Sequence, residues 1–94
     1  MKDKLDFYIN GKWVSSESGE KIEVINPANE EVIGHITAGT KKDIDAAVEA
    51  ASEAFKTFGF SSKEERIQIL KNVIAEYENR YQDFVDTISE EMGA

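Results

Sequence analysis

The sequence predicts an α+β chain in which a β-hairpin and short strands come first and two or three amphipathic helices follow. Asn10-Gly11 stands between two short runs of aromatic and β-branched residues, which is the pattern of a hairpin. From residue 40 onward, apolar residues recur every three or four positions, as on one face of a helix. Because no internal repeat or Pro/Gly-rich linker divides the chain, we expect one segment over residues 1–94, β-rich over 1–39 and helical over 40–94.

The first two strands are predicted from the string FYINGKWV. Asn-Gly fits a two-residue type I′ turn because both central residues of that turn need a positive φ. We therefore expect strands near Phe7–Ile9 and Lys12–Val14, joined by Asn10-Gly11.

Two more strands are predicted from KIEVIN and EVIGHIT. In the first string, Ile22 and Val24 alternate with charged residues, which is typical of a strand with one covered face. Pro27 ends that strand, and the string NPANEE has the chemistry of a turn. The fourth strand then follows directly.

The helices are predicted from their start signals. Each start combines an N-cap residue with a polar residue three positions later, the pattern of a capping box. The second and third helices could instead form one continuous helix with a bend. Gly93 stands where a helix would end on a left-handed glycine. The predicted cap pairs are Thr40 with Asp43, Ser62 with Glu65, and Asn79 with Gln82.

Each predicted helix carries an apolar stripe, and the stripes lie within residues 44–58, 67–77 and 81–92. We expect these stripes to pack together into a helical core. In such a core, Leu70→Ala would cost about 2 to 4 kcal/mol. The hairpin is expected to expose an apolar patch that promotes self-association, because isolated hairpins are marginal in water. The residues of that patch are Phe7, Tyr8, Ile9 and Trp13.

Composition excludes several classes of function. The net charge is -8, with no basic stripe, so binding to nucleic acid or to an anionic membrane is not expected. The absence of cysteine excludes a disulfide framework, a thiolate metal site and a thiol nucleophile within the chain. No apolar run approaches the length of a membrane span, so we expect the protein in the cytoplasm.

Few side chains are candidates for chemistry. His35 is the one histidine and is predicted to be a strand-surface residue, since no second imidazole, cysteine or serine partner accompanies it. Glu49 and Glu53 lie opposite the apolar stripe of their helix, where a solvated face is the simpler interpretation. The scattered glycines form no phosphate-binding loop. We therefore predict no catalytic, cofactor-binding or metal-binding residue in this chain.

Five strings in register resemble the amino-terminal stretch of the NAD(P)-dependent aldehyde dehydrogenase superfamily. Each string is common by itself, but their order and intervals are specific, and together they cover nearly the whole chain. The strings are YINGKWV as the opening hairpin, INPAN closing the third strand, DIDAAVEAASEAF in the first helix, ERIQIL in the second, and EEMG where the family has a Glu-x-Gly ending.

This resemblance implies the front of a larger enzyme that oxidises an aldehyde to an acid with NAD or NADP. In the family, a cysteine forms a thioester, a glutamate activates the hydrolytic water, and an asparagine stabilises the oxyanion. All of these groups are expected beyond Ala94, so the chain alone should be inactive. The resemblance also implies a homo-oligomer, either a dimer or a tetramer, and in some members a structural monovalent cation bound partly by the carbonyl that matches Ile25.

Two other classes of function stay open at the level of sequence. The chain could be a complete helical protein-interaction module without enzymatic activity. It could also be a regulator that mimics part of a parent enzyme at its subunit interface. These residues do not indicate which aldehyde is oxidised or whether NAD or NADP is used. They also do not indicate whether the ending at residue 94 is natural, proteolytic or designed.

Overall fold

The computed structural model describes residues 2–17 and 19–94, which form two small antiparallel sheets followed by three helices. In chain order the elements are β1 (Phe7–Ile9), β2 (Lys12–Val14), β3 (Lys21–Asn26), β4 (Glu31–Thr37), α1 (Lys41–Phe58), α2 (Lys63–Asn79) and α3 (Tyr81–Met92). The α+β class and the bounds of all four strands are as the sequence predicts.

The β1–β2 hairpin has the predicted turn. Asn10 and Gly11 have φ values of 54° and 74°, the two positive angles of a type I′ turn. Tyr8 pairs with Trp13 across the strands, and their rings meet edge to face with centroids 5.1 Å apart.

The expected apolar patch on the hairpin is only half correct. Tyr8 and Trp13 are exposed, whereas Phe7 and Ile9 are half-buried. The reason is the alternation of side chains along a strand, which points Phe7 and Ile9 to the other face. There Ile9 lines a cleft with α1.

The β3–β4 hairpin is longer and contains a bulge between Val24 and Ile25. Its turn is closed by two hydrogen bonds, from Ala28 N–H to Asn26 Oδ1 at 2.9 Å and from Glu30 N–H to the Asn26 carbonyl at 2.8 Å. Glu30 has a φ of 59° at this turn. The asparagine before Pro27 thus provides the turn chemistry that the sequence indicates.

The N-terminal segment runs beside β4. Lys4 N–H donates to the His35 carbonyl at 2.8 Å, and Thr37 Oγ1 donates to the Leu5 carbonyl at 2.8 Å. Lys4 also forms an isolated parallel bridge with Ile36. The segment therefore covers one edge of the β3–β4 sheet.

Both predicted capping boxes at the first two helix starts are present. Thr40 accepts from the Asp43 N–H, and the Asp43 carboxylate accepts from the Thr40 N–H at 2.9 Å. Ser62 and Glu65 make the same reciprocal pair at the start of α2. These caps satisfy N–H groups that have no partner inside the helix.

The predicted cap at Asn79 is wrong. Asn79 is the last residue of α2, and Arg80 separates α2 from α3 without any side-chain cap. Arg80 N–H still donates to the Glu76 carbonyl at 3.1 Å, so the backbone stays helical where an N-cap would need an extended conformation. Gln82 bonds to Asp86 instead. The alternative of a continuing helix with a bend is closer to the observed arrangement.

The end of α3 is as predicted. Gly93 has a φ of 72°, and its N–H donates to the Ser89 carbonyl at 2.9 Å. This left-handed residue stops the helix beside the β3–β4 turn, where α3 contacts β3.

The expectation of a helical core is also wrong. Among residues 2–17 and 19–94, no hydrophobic side chain is buried, and Leu70 is 62% exposed. Apart from the strand pairs of the two hairpins, the main contacts between elements join α1 to β1 and α3 to β3. The apolar stripes that were expected to face each other are therefore uncovered.

The shape of the chain explains why no core forms. The radius of gyration is 16.9 Å, whereas a compact domain of this length would have about 12 Å. The principal extents are 48 × 35 × 16 Å, so the elements lie side by side in a slab about one element thick. A stable domain is built from at least two packed layers, and this chain forms a single layer.

Candidate functional site

His35 lies on β4 with a partly exposed side chain, as the sequence predicts. Its Nδ1 is 3.0 Å from Asp3 Oδ1, and Glu23 is its partner across the sheet. The hydrogen bond to His35 lowers the pKa of the Asp3 carboxyl, and the charges of His35 and Lys21 act in the same direction. The pair fastens the N-terminal segment to β4.

The Asp3 carboxyl should titrate below its ordinary pKa of 3.8. Because folding lowers the pKa of Asp3, the stabilisation from this pair is fully present at pH values above the ordinary pKa of 3.8. It is lost as the pH falls through the lower pKa of the folded chain. Carbon-detected NMR titration of Asp3 checks the midpoint. We expect His35→Ala to return the midpoint toward 3.8 and Asn29→Ala, on the distant turn, to leave it in place. An unshifted midpoint in the unsubstituted chain would contradict the pairing.

A cleft of about 750 Å³ lies between the β1–β2 hairpin and the first half of α1. Ala46 and Ala50 of α1 and Ile9 of β1 are among the residues that line it. At its edge, Lys42 Nζ lies 2.7 Å from Glu17 Oε2. The small side chains let the hairpin approach the helix, and this charge pair closes one side.

Asp43 is the most heavily bonded carboxylate of this cleft. It accepts hydrogen bonds from the Thr40 N–H at 2.9 Å, from Thr40 Oγ1 at 3.0 Å and from Ser16 Oγ at 2.7 Å. These bonds, the Thr40 backbone bond first, lower the pKa of Asp43. The carboxylate is thereby committed to capping α1 and to holding the β2–β3 connection, and it is a poor proton acceptor.

The remaining candidates give no catalytic arrangement. Glu49 and Glu53 lie at the cleft, exposed, with Glu53 Oε2 bound to Lys56 Nζ at 2.7 Å. In the part of the chain that the structure describes, no three metal-ligating side chains lie together. Ile25, which matches the position whose carbonyl binds a monovalent cation in some members of the family that the sequence resembles, lies at the β3 bulge.

Two contacts escape sequence reasoning. Asp3 and His35 are 32 positions apart, and Ser16 and Asp43 are 27 apart. Periodicity relates residues within one element, so it gives no signal for pairs of this kind.

Over residues 2–17 and 19–94, no helix has both the length and the apolar character required to cross a bilayer.

Comparison with known proteins relates this layer to one family. The model of the aldehyde dehydrogenase family matches residues 13–94. A provisionally named aldehyde dehydrogenase of Staphylococcus aureus strain bovine RF122 / ET3-1 is 52% identical over 94 residues, and its counterpart in strain USA300 is 51% identical. In both cases the match covers 100% of this chain and 20% of the relative.

A solved structure shows the same arrangement. The crystal structure of an aldehyde dehydrogenase from Bartonella henselae superposes with a TM-score of 0.95 and 39% identity, over 100% of this chain and 20% of that chain. The present chain thus spans about a fifth of the length of the relatives that it matches. With a family match over residues 13–94 and the same fold, this chain belongs to the aldehyde dehydrogenase family and corresponds to an amino-terminal portion of its members.

Proposed function

We propose that this chain is the amino-terminal layer of an enzyme that oxidises an aldehyde to a carboxylic acid with NAD or NADP. Membership of the family and a match to a fifth of each relative support the proposal. The whole enzyme is proposed to be cytoplasmic and to assemble as a dimer or a tetramer. A stand-alone interaction module gains no support, because the family match extends over residues 13–94.

Two of the helix starts in this chain are capped by their own side chains, which argues against a phosphate site at either of them. Phosphates are commonly bound by free N–H groups at a helix start, next to a glycine-rich turn. Here the starts of α1 and α2 are closed by the side chains of their own capping boxes. We propose that the cofactor is bound by the part of the enzyme that this chain does not represent.

The catalytic thiol is likewise proposed to come from elsewhere in the enzyme. The chain contains no cysteine, so it cannot form the thioester of the family's reaction. Two of the cleft's carboxylates are engaged in a cap and an ion pair, Asp43 with Thr40 and Glu53 with Lys56. The contribution of this chain is to cover and support the body of the enzyme.

The observation that carries this proposal is the one-layer shape together with a TM-score of 0.95 to a chain five times as long. A slab in which no hydrophobic side chain of residues 2–17 and 19–94 is buried does not make an independent domain, because folding must bury apolar surface to offset the loss of chain entropy. The same slab inside a longer chain gains a second layer.

A chimera tests the proposal. In the chimera, this chain replaces the matching fifth of the Staphylococcus aureus strain bovine RF122 / ET3-1 relative. We expect the chimera to reduce NAD or NADP with at least one aldehyde of a chemically varied panel, at a rate within about tenfold of the unmodified relative. The separate chain should give no reaction. An inactive chimera beside an active relative, or no activity from either protein, would contradict the proposal.

A further inference from the structure

Asparagine is one of the chemically labile residues of proteins, and this chain has five. The lability depends on the next residue, whose backbone nitrogen can attack the side-chain Cγ of the asparagine and close a succinimide ring. That attack requires a nitrogen whose N–H is not hydrogen-bonded and a side chain that is free to turn toward it. The structure therefore distinguishes the five positions by the state of the N–H that follows each. They are Asn10, Asn26, Asn29, Asn72 and Asn79.

Asn10 meets both requirements. It is exposed at the tip of the β1–β2 hairpin, and its side chain forms no hydrogen bond with residues 2–17 and 19–94. The N–H of Gly11 lies outside the strand pairing that ends at Ile9 and Lys12, and it has no acceptor in the described part of the chain. A Cβ added at Gly11 would meet nothing within 4 Å, so the approach of the Asn10 side chain is unobstructed. Both reacting groups are therefore free.

The two asparagines of the β3–β4 turn lack a free nitrogen. Asn26 precedes Pro27, which has no N–H. After Asn29, the N–H of Glu30 donates to the Asn26 carbonyl at 2.8 Å. The Asn29 side chain is also occupied, because its Oδ1 accepts from Glu31 N–H at 3.0 Å. This turn therefore protects its asparagines.

The two asparagines of α2 are protected by helical hydrogen bonds. Asn72 lies inside the helix, where the N–H of Val73 is bonded to the carbonyl four residues earlier. Asn79 ends the helix, but the N–H of Arg80 still donates to the Glu76 carbonyl at 3.1 Å. In the described structure, Asn10 is thus the asparagine that is followed by an unbonded N–H.

We propose that Asn10 is a site of spontaneous deamidation, with water as the co-reactant. The Gly11 nitrogen gives its proton to a solvent base and forms a bond to Asn10 Cγ. The bond from Cγ to Nδ2 then breaks, and Nδ2 takes up a proton and leaves as ammonia. Water opens the succinimide at Cγ to leave an aspartate, or at the backbone carbonyl carbon to leave an isoaspartate. No atom is oxidised or reduced.

The modification changes the cleft between the hairpin and α1. Asn10 lines this cleft together with Lys12, Glu49 and Glu53, so either product places a carboxylate where a neutral amide stood. The isoaspartate also lengthens the main chain within the two-residue turn, which disturbs the pairing of Ile9 with Lys12. The inference does not require the proposed enzymatic activity.

Glu30→Gly in the chimera provides a matched control, because Asn29 is then also followed by a glycine. Glu30 has a φ of 59°, which glycine adopts readily, and the hydrogen bond from its N–H does not involve its side chain. The two asparagines then differ in whether the following N–H is bonded. The variant is kept for several days at mildly alkaline pH, with and without urea. Peptide mass spectrometry follows the loss of each amide, and chromatography separates aspartate from isoaspartate.

Without urea, we expect Asn10 to lose its amide at least about tenfold faster than Asn29, because a hydrogen-bonded N–H must open before it reacts. In urea, where neither turn is formed, the two rates should be similar. Equal rates without urea would overturn the inference, and so would a difference of the same size in urea. Retention of the Asn10 amide in the folded chimera, with its loss in urea, would also overturn it. The readout is the mass of a peptide, so it is independent of aldehyde oxidation by the chimera.

Discussion

The Leu70→Ala substitution is expected to lower the free energy of unfolding of the chimera by about 2 to 4 kcal/mol and to leave the helical content of the separate chain unchanged. Leu70 is 62% exposed here, so its truncation removes no buried contact from the chain alone. In the chimera, we expect the body to cover the same side chain, so that its truncation leaves a cavity. Denaturant unfolding of the chimera and circular dichroism of the chain measure the two effects.

Gln68→Ala is the control for this comparison. Gln68 lies on the polar face of α2, where its Nε2 donates to Asn72 Oδ1 at 2.9 Å. Its replacement should change the stability of the chimera by no more than about 0.5 kcal/mol, the usual range for surface positions. A similarly small effect of Leu70→Ala in the chimera would show that the apolar face of α2 stays exposed in the whole enzyme.

The Gly93→Ala substitution is expected to destabilise the chimera by about 1 to 3 kcal/mol from backbone strain, and by more because of steric crowding. Gly93 has a φ of 72°, which is unfavourable for alanine, and an added Cβ would lie 2.8 Å from Ala28 N and 3.0 Å from Pro27 Cγ. The new methyl group would therefore push the end of α3 away from the β3–β4 turn. Thermal unfolding of the chimera measures the loss.

Gly11→Ala is the control that separates backbone strain from steric crowding. Gly11 has a φ of 74°, nearly that of Gly93, but an added Cβ there would meet nothing within 4 Å. Its substitution should show the backbone strain alone. If Gly93→Ala cost no more than Gly11→Ala, the close packing of α3 on the turn would contribute nothing.

Local sequence signals predict the elements of this chain well because their causes are local. The Asn10-Gly11 turn needs two positive φ values, and the boxes at Thr40 and Ser62 each join residues three positions apart. The predicted cap at Asn79 is wrong for a reason that is also local. A cap residue is chosen by the conformation of the backbone, and at Arg80 the backbone continues the helix with a small break.

The packing could not be predicted in the same way. An apolar stripe shows that a helix face will be covered, but it does not identify the covering element. The stripe through Leu70 is predicted to face the other two helices, but in the structure Leu70 is exposed, and Tyr77 at the end of the stripe contacts α3. Contacts between distant residues, such as Ser16 with Asp43, also have no periodic signal.

The most direct test of the account is amide hydrogen exchange in α2, measured in the 94-residue chain and in the chimera. A helix of 17 residues without tertiary support is marginal in water, so we predict weak protection of α2 in the separate chain and strong protection in the chimera. Strong, cooperative protection of α2 in the dilute separate chain would show that the chain completes its own core. That result would contradict the conclusion that it is one layer of a larger enzyme.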